Sequence, residues 1–156
     1  MTFAELVDQI RKEQGLGIEV PDFDPENGNE RARYLFLLEA PGPKAVQTGY
    51  VSLNNPDPTA RSFQRQLRQA GVAREDIAVW NVVPWYLGDE GRRKIRGANS
   101  RDVRAGLQYL KPLVAAMPGL QCIVLVGGAA RKAHVFLSRV TTARILSCHH
   151  PSAQAL

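Results

Sequence analysis

The side chains of this chain that could do chemistry fall into a few short segments. The most concentrated is His149-His150-Pro151-Ser152. An imidazole can donate a hydrogen bond to developing negative charge, act as a base, or bind a metal. A lone histidine is usually structural, but two adjacent ones followed by Pro-Ser favour a site. His134, the only other histidine, sits in a helical pattern far from this pair, so no metal centre is expected. Ser152 has no base and orienter in nucleophile-elbow order, which argues against a serine hydrolase. Asn81 ends an otherwise apolar run, where a carboxamide presents both a donor and an acceptor and can read the edge of a pyrimidine. The same residue could equally be a satisfied buried Asn that ties loops together. Glu39-Ala40-Pro41-Gly42-Pro43 is a sharp turn bearing one carboxylate, able to act on water or only to accept local backbone bonds. Gly127-Gly128, with Arg131 and Lys132 one turn on, has the look of an anion-binding helix start. Tight strand–helix packing explains it as well. Trp80, Trp85 and Tyr86 read as core or rim aromatics before base-stacking platforms.

The elements that must position these residues alternate. Residues 2–14 carry Phe3, Leu6, Val7 and Ile10 at helical spacing, with Thr2 and Glu5 placed as a capping box. A loop over Gly15–Asn29 leads to the apolar run Tyr34–Leu38, a strand buried on both faces. A helix over Thr59–Ala70, stopped by Gly71, precedes a strand over Ile77–Val83 that Pro84 breaks. Ser100 opens a helix running to about Met117, with an irregularity at Pro112. Strand Cys122–Val126, a helix through Phe136 and a short strand over Ala143–Ser147 complete the pattern. Such alternation predicts one α/β domain over residues 1–156, a three-layer α/β/α sandwich around a four-stranded parallel sheet. Ligands of these sheets bind beyond the carboxyl ends of the strands. The four peculiar segments all follow strands, so they should converge on that edge.

Composition narrows the class. The 156 residues are 44% hydrophobic, which suits a globular domain and argues against disorder. No apolar run approaches the roughly 20 residues of a membrane span, and residues 1–15 lack a secretory apolar core, so a cytoplasmic protein is expected. Cys122 and Cys148 lie far apart and cannot supply a four-thiolate cluster; both read as buried, reduced thiols. The net charge is +5, and Arg92, Arg93, Lys94, Arg96, Arg101 and Arg104 stand against one acid, Asp102, within thirteen residues. That run is either a solvated loop and helix start or a contact for phosphates.

Four segments in order carry a family resemblance. Leu37-Leu38-Glu39-Ala40-Pro41-Gly42 resembles the first motif of the uracil-DNA glycosylases, above all the GEAPG form of family 4. Ile77–Val83 is similar to that family's strand ending in Asn-Val-Val, and Leu125–Ala130 to its next strand and turn. His150-Pro151-Ser152 matches its second motif, so the likeness covers about residues 34–152. The resemblance implies a uracil-DNA glycosylase-like fold and hydrolysis of the N-glycosidic bond of uracil, or a related deaminated base, flipped out of DNA. It implies that Asn81 pairs with the base and rejects cytosine, and that His150 hydrogen-bonds the O2 of the leaving base while Glu39 positions water. Ala40 would border the base and Tyr50 stack on it. Gly42, Pro43, Gly128 and Ser152 would grip the backbone with Arg93 from the basic run, and Gln154 stands where relatives often carry an apolar wedge. The chain departs from the family at Leu38, where the motif has glycine, and in lacking the cluster cysteines, so no cofactor is carried over. The expected partner is uracil-containing DNA, bound by a monomer. Two other readings are a non-catalytic DNA- or base-binding module on the same fold, and a small-nucleotide enzyme on a doubly wound scaffold.

Overall fold

The computed structural model describes residues 1–92 and 94–151. Helix α1 (Phe3–Gln14) opens on the expected capping box: Glu5 N–H donates to Thr2 Oγ1 at 3.2 Å and Thr2 N–H to Glu5 Oε2 at 2.7 Å. The stretch after it is not wholly irregular, because it contains strand β1 (Asp22–Phe23). Strand β2 (Tyr34–Leu38) is followed by helix α2 (Pro43–Thr48), and left-handed Gly49 turns the chain into strand β3 (Tyr50–Val51), which pairs parallel with β1. Asp57 caps helix α3 (Pro58–Ala70), left-handed Gly71 stops it, and strand β4 (Ile77–Asn81) comes next. Helices α4 (Ser100–Leu107) and α5 (Leu110–Ala115) lead to strand β5 (Cys122–Val126). Helices α6 (Gly128–Arg131) and α7 (His134–Val140) connect it to strand β6 (Arg144–Cys148).

The main sheet has the order β4-β2-β5-β6 and is parallel throughout. The chain leaves β2 toward β4 on one side and returns to β5 on the other. The loops after β2 and β5 therefore diverge, and a crevice opens at their carboxyl ends. Although β4 is an edge strand, all five of its residues are buried. The small β1–β3 sheet explains this: Phe23 stacks on Trp80 with ring centroids 3.7 Å apart, and Phe3 backs Phe23 at 4.1 Å.

Several expectations are corrected. Strand β2 is not sealed on both faces; Leu35 and Leu37 are buried while Tyr34, Phe36 and Leu38 are half-buried. Both cysteines are expected as buried thiols, yet Cys122 at the start of β5 is half-buried and Cys148, on the edge strand β6, is exposed. The helix expected over Ser100–Met117 is two helices. Pro112 falls in the first turn of α5, where a missing N–H breaks no intrahelical bond, so the chain breaks ahead of the proline instead of bending at it. The helix expected through Phe136 is likewise split, and i→i−3 bonds at Lys132 and Ala133 tighten the chain between its halves.

Candidate active site at the carboxyl edge of the sheet

A cavity of about 590 Å³ lies at this edge. Its lining comes from the loop after β2 (Glu39, Ala40, Pro41, Gly42, Pro43), the segment after β3 (Ser52, Leu53, Asn55, Asp57) and α3 (Thr59, Ala60, Phe63). Leu38, Lys44 and Ala45 of α2, Val51, Asn81 and Val79 of β4, Ile95 and His150 complete it. Segments remote in sequence thus meet where the strand order reverses. A second hollow of about 570 Å³, beside the end of α1, is bordered by none of the candidate residues. Of its two lining cations, Arg11 and Lys12, Arg11 is committed to the Val20 carbonyl and to Asp22.

Asn81 is fixed by backbone pairing. It stands opposite Leu38 in the β2–β4 register, and Val82 N–H→Leu38 O (2.8 Å) and Val83 N–H→Glu39 O (2.9 Å) carry the pairing past the strand ends. Helix α4 packs hard against the same segment: at Gly106 any Cβ would collide with the Val82 carbonyl. Asn81 is only 3% exposed, and its Nδ2 has no hydrogen-bond partner. Three other buried side-chain atoms among the described residues share that condition, on Asn27, Asn29 and Tyr86, but none of those residues lines the cavity. An unpaired buried amide costs on the order of 1–3 kcal/mol. A ligand carbonyl that reached Nδ2 would remove that cost.

His150 faces Asn81's cavity from the end of β6. Gly127 N–H donates to Cys148 O at 3.0 Å, which extends the β5–β6 pairing and draws the following residues over Gly127. Gly127 has φ +88°, so a side chain there would be strained, although its Cβ would meet His150 Cβ only at an ordinary contact distance of 3.5 Å. Burial pushes the His150 pKa down, while Glu39 and then Asp57 pull it back up. The neutral imidazole is thus the form held at pH 7, a donor without net charge. Glu39 is half-buried, and its Oε1 accepts from Ala98 N–H at 3.4 Å.

Three lining residues carried no functional signal in the sequence. Asp57 caps helix α3: its Oδ1 accepts from Ala60 N–H at 2.7 Å. Its charge nonetheless reaches His150. Phe63 reads as the core face of a helix and is buried edge-on to Phe36 at 5.1 Å, yet it also forms a cavity wall. Ser52 belongs to a clasp. Its hydroxyl donates to Asp24 Oδ2 (2.6 Å), which also takes Arg74 Nη2 (2.6 Å), while Arg74 Nη1 reaches Asn54 Oδ1 at 2.9 Å. The Asp24–Arg74 pair ties the wall between β3 and α3 to the turn that feeds β4. Asn55 holds the same wall, accepting from Thr48 Oγ1 and donating to Tyr50 O.

Of the residues singled out from the sequence, Glu39, Ala40, Gly42, Pro43, Asn81 and His150 come together around the cavity. Tyr50 does not. Strand alternation turns it outward, 43% exposed, and sends Val51 inward instead. Gly128 also stays off the lining, and it is Gly127 at which a side chain would meet the histidine. Trp80, Trp85 and Tyr86 are core residues. Arg93, Ser152 and Gln154 lie outside the described residues. In the basic run, Arg92 pairs with Glu19 (2.7 Å) and Arg96 with Asp102 (2.6 Å), while Lys94, Arg101 and Arg104 are exposed without an ion pair among the described residues.

Residues 25–155 match the family model described as the uracil DNA glycosylase superfamily. The chain belongs to that superfamily. The match takes in every segment that lines the cavity, from Leu38 to His150. A search of curated proteins gave no match. Among the described residues of this superfamily member, no three His, Cys, Asp or Glu side chains are grouped to hold a metal ion. No described helix is long and apolar enough to cross a membrane.

Proposed function

We propose that this chain hydrolyses the N-glycosidic bond of uracil, or of a related deaminated base, flipped out of DNA. The observation that carries the reading is Asn81, whose buried Nδ2 has no partner and which lines the same cavity as His150. Uracil O4 would accept from Nδ2 and uracil N3–H would donate to Oδ1, whereas cytosine presents the reverse pattern. As the C1′–N1 bond breaks, its electron pair passes to the base, and His150 donates to the O2 on which charge gathers. Water bonds to C1′ and gives its proton to Glu39. Phe63 supplies an apolar wall against the base in place of Tyr50, and Gly42 and Pro43 approach the backbone. On this reading residues 1–156 act as one cytoplasmic, monomeric domain with helical layers on both sides of the sheet, nearest in motif to family 4.

A second reading has its own support: Ala40 lines the cavity without any group able to activate water, as in a module that binds a base and does not turn it over. One experiment separates the two. Oligonucleotides bearing a single uracil, incubated with the protein and treated with alkali, should break at that site. Intact strands at stoichiometric protein would leave only the binding module. Asn81→Ala and His150→Ala should each slow release by about 100-fold or more. Asn81→Ala should do so with Tm unchanged or raised, because it deletes a buried group that has no partner. Normal rates in both variants would mean the residues are wrongly assigned.

A further inference from the structure

We propose that the outer edge of β6 is a docking site for an extended, acidic segment of a partner protein, which adds to the main sheet as a further strand. The inference stands apart from the glycosylase reading. The main sheet ends at β6, and no described strand pairs with its outer side. Arg144 N–H donates inward to Gln121 O at 3.1 Å, and Cys148 O accepts inward from Gly127 N–H at 3.0 Å. Backbone groups alternate sides along a strand, so the N–H and C=O of Ile145 and Ser147 point outward, a template for another strand.

The side chains beside this edge are apolar in the middle and cationic at both ends. One row across the sheet comprises Val79, Phe36, Val124 and Leu146. It runs from buried Val79, through half-buried Phe36 and Val124, to Leu146, which is 49% exposed. Helix α3 covers the row as far as Phe36, which meets Phe63. Exposed Arg144 shares this face, two residues before Leu146. At the other end Arg131 Nη2 lies 3.5 Å from the carbonyl of Cys148, a residue about 13 Å along the strand from Arg144. Neither arginine has an ion pair among the described residues. The sequence leaves them short of one: no Asp or Glu follows Asp102, whereas Arg104, Lys111, Arg131, Lys132, Arg139 and Arg144 do.

These features select one kind of occupant. A second copy of the chain, paired antiparallel about Leu146, would set the Arg144 end of one edge against the Arg131 end of the other, and like charges would repel. Duplex DNA would satisfy the cations but offer nothing to Leu146 or to the outward amides. An acidic strand meets every feature. Its backbone completes the ladder, an apolar side chain covers Leu146, and carboxylates two residues to either side reach Arg144 and Arg131. The pattern acid-x-apolar-x-acid reads the same from both ends, so it suits either strand direction.

The test measures fluorescence anisotropy of a dye-labelled octapeptide, Gly-Ser-Asp-Thr-Leu-Thr-Asp-Ser, and of its counterpart with Lys at both Asp positions. Wild-type protein should bind the Asp form and not the Lys form. The double variant Arg131→Glu, Arg144→Glu should bind the Asp form about tenfold or more weakly and take the Lys form instead. Ser147→Pro removes an outward N–H at an edge strand, where proline is tolerated, and should abolish binding with Tm little changed. If that variant fails to fold, N-methylation of alternate peptide amides puts the same question to wild type: one set should abolish binding and the other spare it. No binding of the Asp form at about 1 mM peptide overturns the proposal. So does equal binding of a peptide whose two acids are adjacent, or binding that survives Ser147→Pro or both methylated sets. If no peptide binds while a uracil-free duplex loses affinity in the double variant, the patch is a DNA contact. If sedimentation shows a dimer that Leu146→Ser dissolves, the edge joins copies of the chain. Either result also overturns the proposal.

Discussion

At the scale of single residues the site is a balance between one neutral imidazole and two carboxylates. His150 is held below its ordinary pKa by burial, and Glu39 and Asp57, the two acids that act on it, both border the same cavity. Protonation costs more in the folded chain than in the unfolded one, so the neutral donor persists as pH falls through the usual histidine value of about 6.5 and is lost only at a lower pH. Stability falls over that same interval, because the unfolded chain takes up the proton first. Asp57→Asn tests the balance cleanly, since asparagine also caps a helix and α3 keeps its first turn. With one of its two carboxylates gone, His150 should titrate at a still lower pH. Following its ring protons by NMR would show this. A wild-type midpoint at or above the ordinary value, or an upward move in Asp57→Asn, would contradict the arrangement described.

At the scale of elements, the wall between β3 and α3 depends on Arg74, which bridges Asp24 and Asn54 from the turn before β4. The Asp24 side chain is 5% exposed, and after Arg74→Ala its carboxylate would keep only Ser52 and the Glu26 N–H. Stranding a buried charge costs about 3–5 kcal/mol, whereas losing the half-exposed Arg92–Glu19 pair through Glu19→Ala costs under about 1 kcal/mol. Urea unfolding should show this gap between the two variants; equal midpoints would mean the clasp is not what holds the wall. The same contrast explains what the sequence made legible. Strands β2, β4 and β5 could be read because their apolar runs end at Pro, Asn or Gly, and Glu39, Asn81 and His150 because each ends or follows a strand. The clasp could not be read, since Asp24, Ser52 and Arg74 are ordinary surface types until a two-residue sheet brings their segments together. Tyr50 was misplaced by a single step of strand alternation, which sequence spacing does not fix in so short a strand. Asp57 and Phe63 were hidden by having structural duties that account for them fully.

At the scale of the whole molecule, the surplus of five positive charges is not evenly available. Arg92 and Arg96 are spent on Glu19 and Asp102, where they brace the loop after β4. Lys94, Arg101 and Arg104 remain as exposed cations on that loop and on α4, close in sequence to the cavity rim. If these three meet DNA phosphates, each releases about one counterion, and the slope of log K against log salt carries about 0.9 per contact for a duplex. Replacing all three with alanine should therefore flatten that slope by about 2 to 3 and weaken binding to any sequence alike. Replacing Arg92 or Arg96 should change the slope little, since each brings its own acid to the interface, and should act instead through the loop. Binding isotherms on a short duplex between low and physiological salt would separate these outcomes. An unaltered slope in the Lys94, Arg101 and Arg104 variant would move the phosphate contact to another face of the molecule and leave the basic run as a brace for the loop and α4.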